Sequence, residues 1–508
     1  MPSRSGSPPI GWFTAGGAGF LAVCIAMLAT VPSEDRFTAV CAIVNLALIL
    51  GISWLALRRH AVYGSVIASY LLPMGLQVAI ATLYFCFFNP RFYVYIGETT
   101  VAFLPMNWRF QLATMVYVCA AGFVWLTLSP SKSKATSHSS YKEWSKAADA
   151  MSMPSFGAFT LIVAVLVALK FMNINEDSFG GYVVFGFFRF CLSLPMLCGA
   201  TWKQRTRLER IVVSLVLLAN GGFNILTNNR SIGFFPILYF GFGLLFLGDL
   251  STRRKMQSLV VVTALFVTIM IFGDLGRQLK MDIWRGGYES LADRIDKLSQ
   301  STDALDVGQD RWADRIFLRL FTLGGFQITT LMPETVPYKP FSLPVYALEV
   351  VSQGVLPRAF AIRLVEPVYE EKSTLIAFGY RLVHKRHSVE RYCIGAAWEL
   401  GGYAAELCIG ALTGLILVWF MRTTNLVAAT APMFAVVLVA VVIDRLTGAT
   451  TEGIPSLLHD MVYTFPVGFC IFIVSRLVSA VPPFRSAGSA HSQGANVKPR
   501  PFAIGPTA

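Results

Sequence analysis

Residues 38–57 read TAVCAIVNLALILGISWLAL, twenty positions without a formal charge, closed on one side by Arg36 and on the other by Arg58 and Arg59. A helix rises about 1.5 Å per residue, so a run of this length covers the roughly 30 Å of hydrocarbon in a bilayer. The chain repeats the pattern: apolar runs of membrane length lie at 10–31, 38–57, 64–87, 110–129, 156–172, 182–200, 211–227, 232–249, 257–273, 393–421, 425–443 and 461–480. Within lipid a segment must satisfy its own backbone polar groups, which makes each such run a helix. The first run has no strongly basic lead and no small-residue cleavage site, and a second follows at once. It reads as an anchor.

Composition points the same way. Of 508 residues 55% are hydrophobic and only 14% charged, with a mean hydropathy of +0.59. That is too apolar for a soluble chain of this size. The expected fold is an all-α, polytopic membrane protein of about 12 transmembrane helices, with a large helical loop between spans nine and ten. Its expected divisions are 1–273 (spans one to nine, with a cytoplasmic loop at 130–154), 274–392 (the large loop), 393–480 (spans ten to twelve) and 481–508 (a disordered tail).

Short loops set the orientation. If spans alternate strictly, Arg58, Arg59, Lys132, Lys134, Lys142, Lys146, Lys203, Arg205, Arg207, Arg210, Arg253, Arg254, Lys255, Arg422, Arg476 and Arg485 share one side. Outside the large loop the other side carries only Arg36, Arg91, Arg109, Arg230 and Arg445. The positive-inside rule makes the first group cytoplasmic, so both termini are expected inside and the large loop outside. The formal net charge of +13 then has a simple source. The large loop contributes 16 basic and 15 acidic side chains, about +1, and the remainder sits mostly on cytoplasmic turns beside anionic lipid. Nothing in this distribution calls for nucleic acid. All nine cysteines lie in or at the edge of apolar runs and none in the large loop, which excludes a disulfide scaffold or a thiolate metal site there. No internal repeat is evident.

The large loop changes character along its length. GYESLADRIDKLSQ (287–300) has Leu291, Ile295 and Leu298 at helical spacing. After a turn, Arg311, Arg315 and Arg319 recur every four residues and form one basic stripe, beside an apolar face of Trp312, Ile316, Phe317, Leu320 and Phe321. Such a stripe is either a solvated face with local pairing to Asp314 or a row of guanidinium forks able to grip phosphate or an acidic sugar. Prolines 333, 337, 340 and 344 impose an extended segment. A helix is expected over PVYALEVVSQGVL, stopping at Pro357-Arg358, and a basic run from Tyr380 to His387 precedes span ten. His384 and His387 stand three apart, but Lys385 and Arg386 between them repel a cation and no carboxylate stands at ligand spacing, so no metal site is expected.

Beyond the loop, Arg230 occupies TNNRSIGFFP, a tight turn between spans seven and eight on the large-loop side. A cation at a membrane edge either snorkels to headgroups or meets substrate. In span ten, WELGGYAAELCIGALTG places Glu399 and Glu406 seven residues apart and so on one face of a helix. Carboxylates in an apolar span face the bundle interior, and the glycines at 401, 402, 410 and 414 should allow close helix packing.

With an arginine at a tight outer turn (Asn228-Asn229-Arg230-Ser231), a Pro357-Arg358-Ala359-Phe360 element late in the large loop, and Trp398-Glu399-Leu400-Gly401-Gly402-Tyr403 running on to Gly410 and Gly414, the chain resembles the Wzy-type O-antigen and exopolysaccharide repeat-unit polymerases. It departs from them where Pro367 and Lys372 stand farther from Pro357-Arg358 than in the family's compact element. The resemblance implies a bacterial inner-membrane glycosyltransferase that moves a growing glycan from undecaprenyl diphosphate onto a new lipid-linked repeat unit. A chain-length regulator and a flippase are the partners it implies, and no cofactor.

A diphosphate leaving group needs either a divalent cation or fixed cations. Arg230 and Arg358, with Arg311, Arg315, Arg319 and Arg381, supply the latter on the expected side, and the loop has no Asp-x-Asp pair. Glu399, Glu366, Asp310 and His384 are the candidate bases for the acceptor hydroxyl. Glu399 is preferred because an apolar helix end makes a carboxylate a better proton acceptor. Tyr403 and His384 join the arginines as substrate-binding candidates, while Trp312, Tyr338, Tyr346, Trp398 and Tyr403 offer rings to sugar faces or to packing. Three alternatives stay open. One is an O-antigen ligase. A second is a metal-dependent glycosyltransferase signalled by Glu34-Asp35, though the loop there is short. The third is a lipid-linked glycan transporter, against which most spans lack ionisable residues and only Lys170 and Arg189 stand out.

Overall fold

Charge, proline and glycine set the helix boundaries. The computed structural model describes residues 10–33, 35–59, 61–88, 93–96, 99–102, 108–129, 343–354 and 393–430, with single positions between 198 and 261 and between 438 and 473. Helix α1 (Ile10–Met27) ends in a single 3-10 turn, Leu28–Thr30. Extended Val31 follows, and the backbone N–H groups of Asp35 and Arg36 donate to Pro32 O. That turn starts α2 (Arg36–Arg59), the run that opens the sequence argument, with Asp35 just before its positive N-terminal pole and Arg58 and Arg59 at its negative C-terminal pole.

One expected span, 64–87, is built in three pieces. Helix α3 (Ala61–Gly75) contains Pro73, a π-helical segment covers Leu76–Ile80, and α4 spans Ala81–Phe88. Proline removes an i→i−4 hydrogen bond, and the widened turn that follows absorbs the disturbance without ending the span. Helix α5 (Trp108–Leu128), α6 (Leu343–Gly354) and α7 (Cys393–Thr430) complete the described helices. Helix α6 falls where PVYALEVVSQGVL predicts it, ahead of Pro357.

The described residues are helical, as expected, apart from one short hairpin. Between α4 and α5, Tyr93–Ile96 (β1) and Thr99–Ala102 (β2) form an antiparallel hairpin in which Tyr93 pairs with Ala102 and Ile96 with Thr99. Aromatic and β-branched residues favour strands, and the two intervening residues, Gly97 and Glu98, suit a two-residue hairpin loop. A reading keyed to membrane-length runs passes over strands this short.

Among the described residues four helical stretches are long and apolar enough to cross a membrane: Arg36–Arg59, Tyr63–Phe88, Trp108–Leu128 and Leu400–Thr424. The chain is a multi-pass membrane protein. Helix α1 contributes a shorter apolar stretch, Ala15–Thr30. The expected spans at 156–172, 182–200, 211–227, 232–249, 257–273, 425–443 and 461–480 fall outside the described residues or meet them at a few positions.

Contacts along the helices give their directions. Asn45 of α2 bonds Gln111 of α5 at 3.0 Å, and farther along the same two helices Arg59 bonds the Leu126 carbonyl, so α2 and α5 run parallel. Helices α5 and α7 are also parallel. Cβ atoms at Gly410 and Gly414 would lie 2.5 and 2.6 Å from the carbonyl oxygens of Tyr117 and Ala121, which places the two backbones in direct contact. This is the close packing expected of those two glycines. Helix α3 runs antiparallel to α2: a Cβ at Gly64 would meet Ala56 and Leu57, and one at Gly75 would meet Ile49 and Leu46.

Tyr63, Tyr70, Phe110, Tyr117, Trp125 and Phe420 are fully buried at the centre, whereas Phe123 and Leu426 are exposed where lipid would cover them. Without a hydrophobic driving force between helices in lipid, small residues and buried polar contacts hold such bundles together. Two polar sets do this here. Asn45 donates to Gln111 Oε1, and Gln111 Nε2 donates to Thr82 Oγ1 at 2.9 Å and to Val78 O in the π segment. Tyr117 OH lies 2.7 Å from both Tyr70 OH and Thr413 Oγ1, tying α3, α5 and α7 at one level.

Candidate functional site

The four spans have two ends. One is marked by Arg36, Phe88, Trp108 and Leu400, the other by Arg59, Tyr63, Leu128 and Thr424. The first end, here the Trp108 end, is where the segment 274–392 rejoins the bundle through α7. At this end α7 is broken: Gly401 is extended at φ 170°, and Gly402 sits at φ 60°, ψ −140°, in the left-handed half of backbone space that favours glycine. The element Trp398-Glu399-Leu400-Gly401-Gly402-Tyr403 therefore wraps a helix break. Only from Leu400 onward is the helix a membrane-crossing stretch.

The break corrects two sequence expectations. Glu399 and Glu406 lie on opposite sides of it, so seven-residue spacing no longer puts them on one helix face. Gly401 and Gly402 interrupt the helix instead of packing it; a Cβ at Gly402 would meet nothing within 4 Å. The same break has a positive effect on geometry. It turns the ring of Trp398 onto that of Tyr403, edge to face, with centroids 4.7 Å apart and planes at 90°. Both rings are half-buried and pack on the central core. Glu399 occupies the last turn before the break, flanked by Trp398, and its backbone alone is described.

Around the break stand groups from α2, α5 and α7 itself. Arg109, Cys41 and Glu406 lie within electrostatic reach of the Tyr403 hydroxyl. Arg109, at the first turn of α5, also lies over the Trp108 ring at 5.6 Å, and Trp108 stacks edge-on against Phe37 of α2 at 5.7 Å. Both rings are exposed and form an aromatic rim at this end. Arg36 donates to the Val31 carbonyl at 3.3 Å on the same rim. One turn below the break, Glu406 is fully buried, and neither carboxylate oxygen has a hydrogen-bond partner among the described residues. By the register of Gly410 on Tyr117 it stands level with Ala113 of α5. The interior placement expected for a carboxylate in this span holds for Glu406.

Of the sequence-derived site residues, Tyr403 is described in full and Glu399 by its backbone. Arg230, Arg358, Arg311, Arg315, Arg319, Arg381 and His384 lie outside the described residues, as do Glu366, Asp310, Arg363 and Lys372. Tyr346 on α6 is buried in the same core as Ile394 and Ala397, as a packing residue would be. Sequence reasoning missed Arg109 as a neighbour of Tyr403, and Trp108 as the ring beneath that guanidinium. Their signal was a Trp-Arg pair at a span start, on the side otherwise poor in basic residues. Among the described residues no three His, Cys, Asp or Glu side chains gather to hold a metal ion. No family model, curated protein or solved structure matches this chain.

Chemically, the rim offers flat apolar rings for a sugar face, a guanidinium for an anionic group and a carboxyl-bearing position at a helix break. Rings and a cation in one rim suit a ligand that is amphipathic and partly charged.

Proposed function

We propose that this chain is a membrane glycosyltransferase that joins lipid-linked oligosaccharide repeat units, working at the Trp108 end of the bundle. The observation that carries the reading is the helix break at Gly401–Gly402 inside the Trp398–Tyr403 element, at the end where the arginine-rich segment 274–392 enters α7. A break there leaves backbone groups and a carboxyl-bearing residue at the membrane edge, the depth at which a lipid-linked sugar is presented. The motif resemblance to the Wzy-type polymerases supports the reading, as do Arg358, Arg311, Arg315, Arg319 and Arg381 in the late loop and Arg230 in a turn expected on the same membrane face.

In the proposed reaction the acceptor sugar hydroxyl attacks the anomeric carbon of the growing glycan, while the bond from that carbon to the diphosphate oxygen breaks. The leaving undecaprenyl diphosphate keeps the electron pair, and Glu399 takes the hydroxyl proton. Arg230 and Arg358 hold the diphosphate charge that develops, and Tyr403 with Trp398 presents rings to the sugar. A positioned base of this kind contributes about 10²- to 10⁴-fold to rate.

The test is deletion of the gene in its host, followed by gel and mass analysis of lipid-linked and surface glycans. Complementation uses wild type, Arg230→Ala, Arg358→Ala and Glu399→Gln. Loss of long chains while single repeat units are still exported and attached, uncorrected by the variants, is the expected result. Long polymer held on its lipid carrier would mean a ligase, and repeat units trapped inside the cell would mean a transporter. Full chain length with Glu399→Gln would remove that residue from the reaction.

A further inference from the structure

At the opposite end of the bundle, two arginines converge on the last turn of α5 and a third adjoins one of them in sequence. Arg59, ending α2, donates to the Leu126 carbonyl and, at 3.3 Å, to Ser129 Oγ. Arg422, on α7, donates to the Leu128 carbonyl at 3.1 Å. Arg58 lies 5.2 Å from the Trp54 ring centroid, one turn back along α2. All three are exposed, and residues 55–65, 125–129 and 415–430 contain no aspartate or glutamate.

Capping carbonyls occupies only part of a guanidinium that has five N–H donors. The described contacts of Arg59 and Arg422 account for two donations and one, and those of Arg58 are to a ring face. Two of the forks are already held in place by α5, so a ligand need not immobilise them. Fixed forks with spare donors suit phosphate oxygens. The carbonyl caps also explain why Arg59 and Arg422 gather: two helices, α2 and α7, deliver cations to the one negative pole of α5.

The level at which they gather identifies the source of the phosphate. Four membrane-length stretches end here, at Arg59, Tyr63, Leu128 and Thr424. Exposed apolar side chains, Leu55, Leu128 and Trp419, lie within a turn of the arginines. A free anion has no use for them, whereas acyl chains cover them. We infer that Arg58, Arg59 and Arg422 form a defined seat for the headgroup of an anionic phospholipid at the shared end of α2, α5 and α7. General attraction of anionic lipid to basic loops needs no such geometry. A seat retains a lipid after detergent has stripped the bulk. It is independent of the chemistry proposed for the Trp108 end.

The full-length protein, purified from bilayers of phosphatidylcholine with added phosphatidylglycerol, is examined by native mass spectrometry as detergent removes lipid. Retention of phosphatidylglycerol over phosphatidylcholine is expected for the wild type. Arg58→Gln makes no carbonyl contact and leaves the helix caps intact, so it reports the seat without a folding cost; it should weaken retention about fivefold. Arg59→Lys with Arg422→Lys keeps the charge but loses the forks, and should also weaken it. Equal retention by wild type and Arg58→Gln overturns the inference, and so does loss of the lipid to millimolar inorganic phosphate, which would make the seat a free-anion site.

Discussion

Glu406 is the residue least at home in its surroundings. It is fully buried one turn inside a membrane helix, with both oxygens unpartnered among the described residues. A carboxylate left unpaired in an apolar interior is among the most costly groups a fold can bury, and an ionisable residue inside a membrane bundle marks function before stability. Methionine has a similar length and no charge, and it adapts to irregular gaps. Glu406→Met is expected to leave the protein at least as stable as wild type, by up to about 1–3 kcal/mol, in thermal unfolding in detergent. Under the proposed function its glycan product should fall even so, since sites that serve chemistry are kept at a cost to stability. A Met variant that unfolds markedly earlier would mean that the carboxyl has a partner in the folded protein. The sequence showed that this carboxylate would face inward, because an apolar span leaves it no other economical choice. It did not show that the hydroxyl nearest by register, that of Thr114, already donates to Phe110 O.

At the scale of the helix, α7 holds two pairs of glycines that do opposite things. Gly410 and Gly414 bring α7 against α5, and Gly401 and Gly402 end one helix and start the next. Both roles use the missing Cβ, one for the space it frees and the other for the φ it permits, so residue type alone cannot separate them. Spans 38–57 and 110–129 were legible to within two residues at each end, because charge and apolar length bound them directly. The π segment after Pro73 and the β1–β2 hairpin were not, since neither changes hydropathy over a membrane length. Two substitutions distinguish the glycine roles. Gly410→Leu must push α7 off the Tyr117 carbonyl and should cost about 1–3 kcal/mol of stability. Gly402→Ala meets open space and only backbone strain, about 1–2 kcal/mol. It should impair glycan polymerisation beyond its small effect on unfolding, because the strain acts on the Trp398–Tyr403 pair. If Gly402→Ala alters stability alone, the break is structural and the aromatic pair has no part in the site.

For the molecule as a whole, the decisive quantity is which end faces which compartment. Helices α2, α5 and α7 run parallel, and α3 with α4 returns between the first two. Parallel α5 and α7 require an even number of crossing steps between them, which strict alternation of the expected spans supplies: they are the fourth and the tenth. Charge then selects the direction. The Arg59 end carries Arg58, Arg59 and Arg422 with no acid in the adjoining described turns, whereas Arg36 and Arg109 at the Trp108 end share it with Asp35. Insertion keeps basic turns inside, so the Trp108 end is expected outside, together with the large loop. Single cysteines at Phe37 or Trp108, in a background freed of native cysteine, should react in intact cells with a maleimide that cannot cross the inner membrane. Cysteines at Ser129 or Arg422 should react only after the membrane is opened. The reverse pattern would place the Trp398–Tyr403 break in the cytoplasm, where finished lipid-linked repeat units are not presented, and the polymerase reading would fall with the topology.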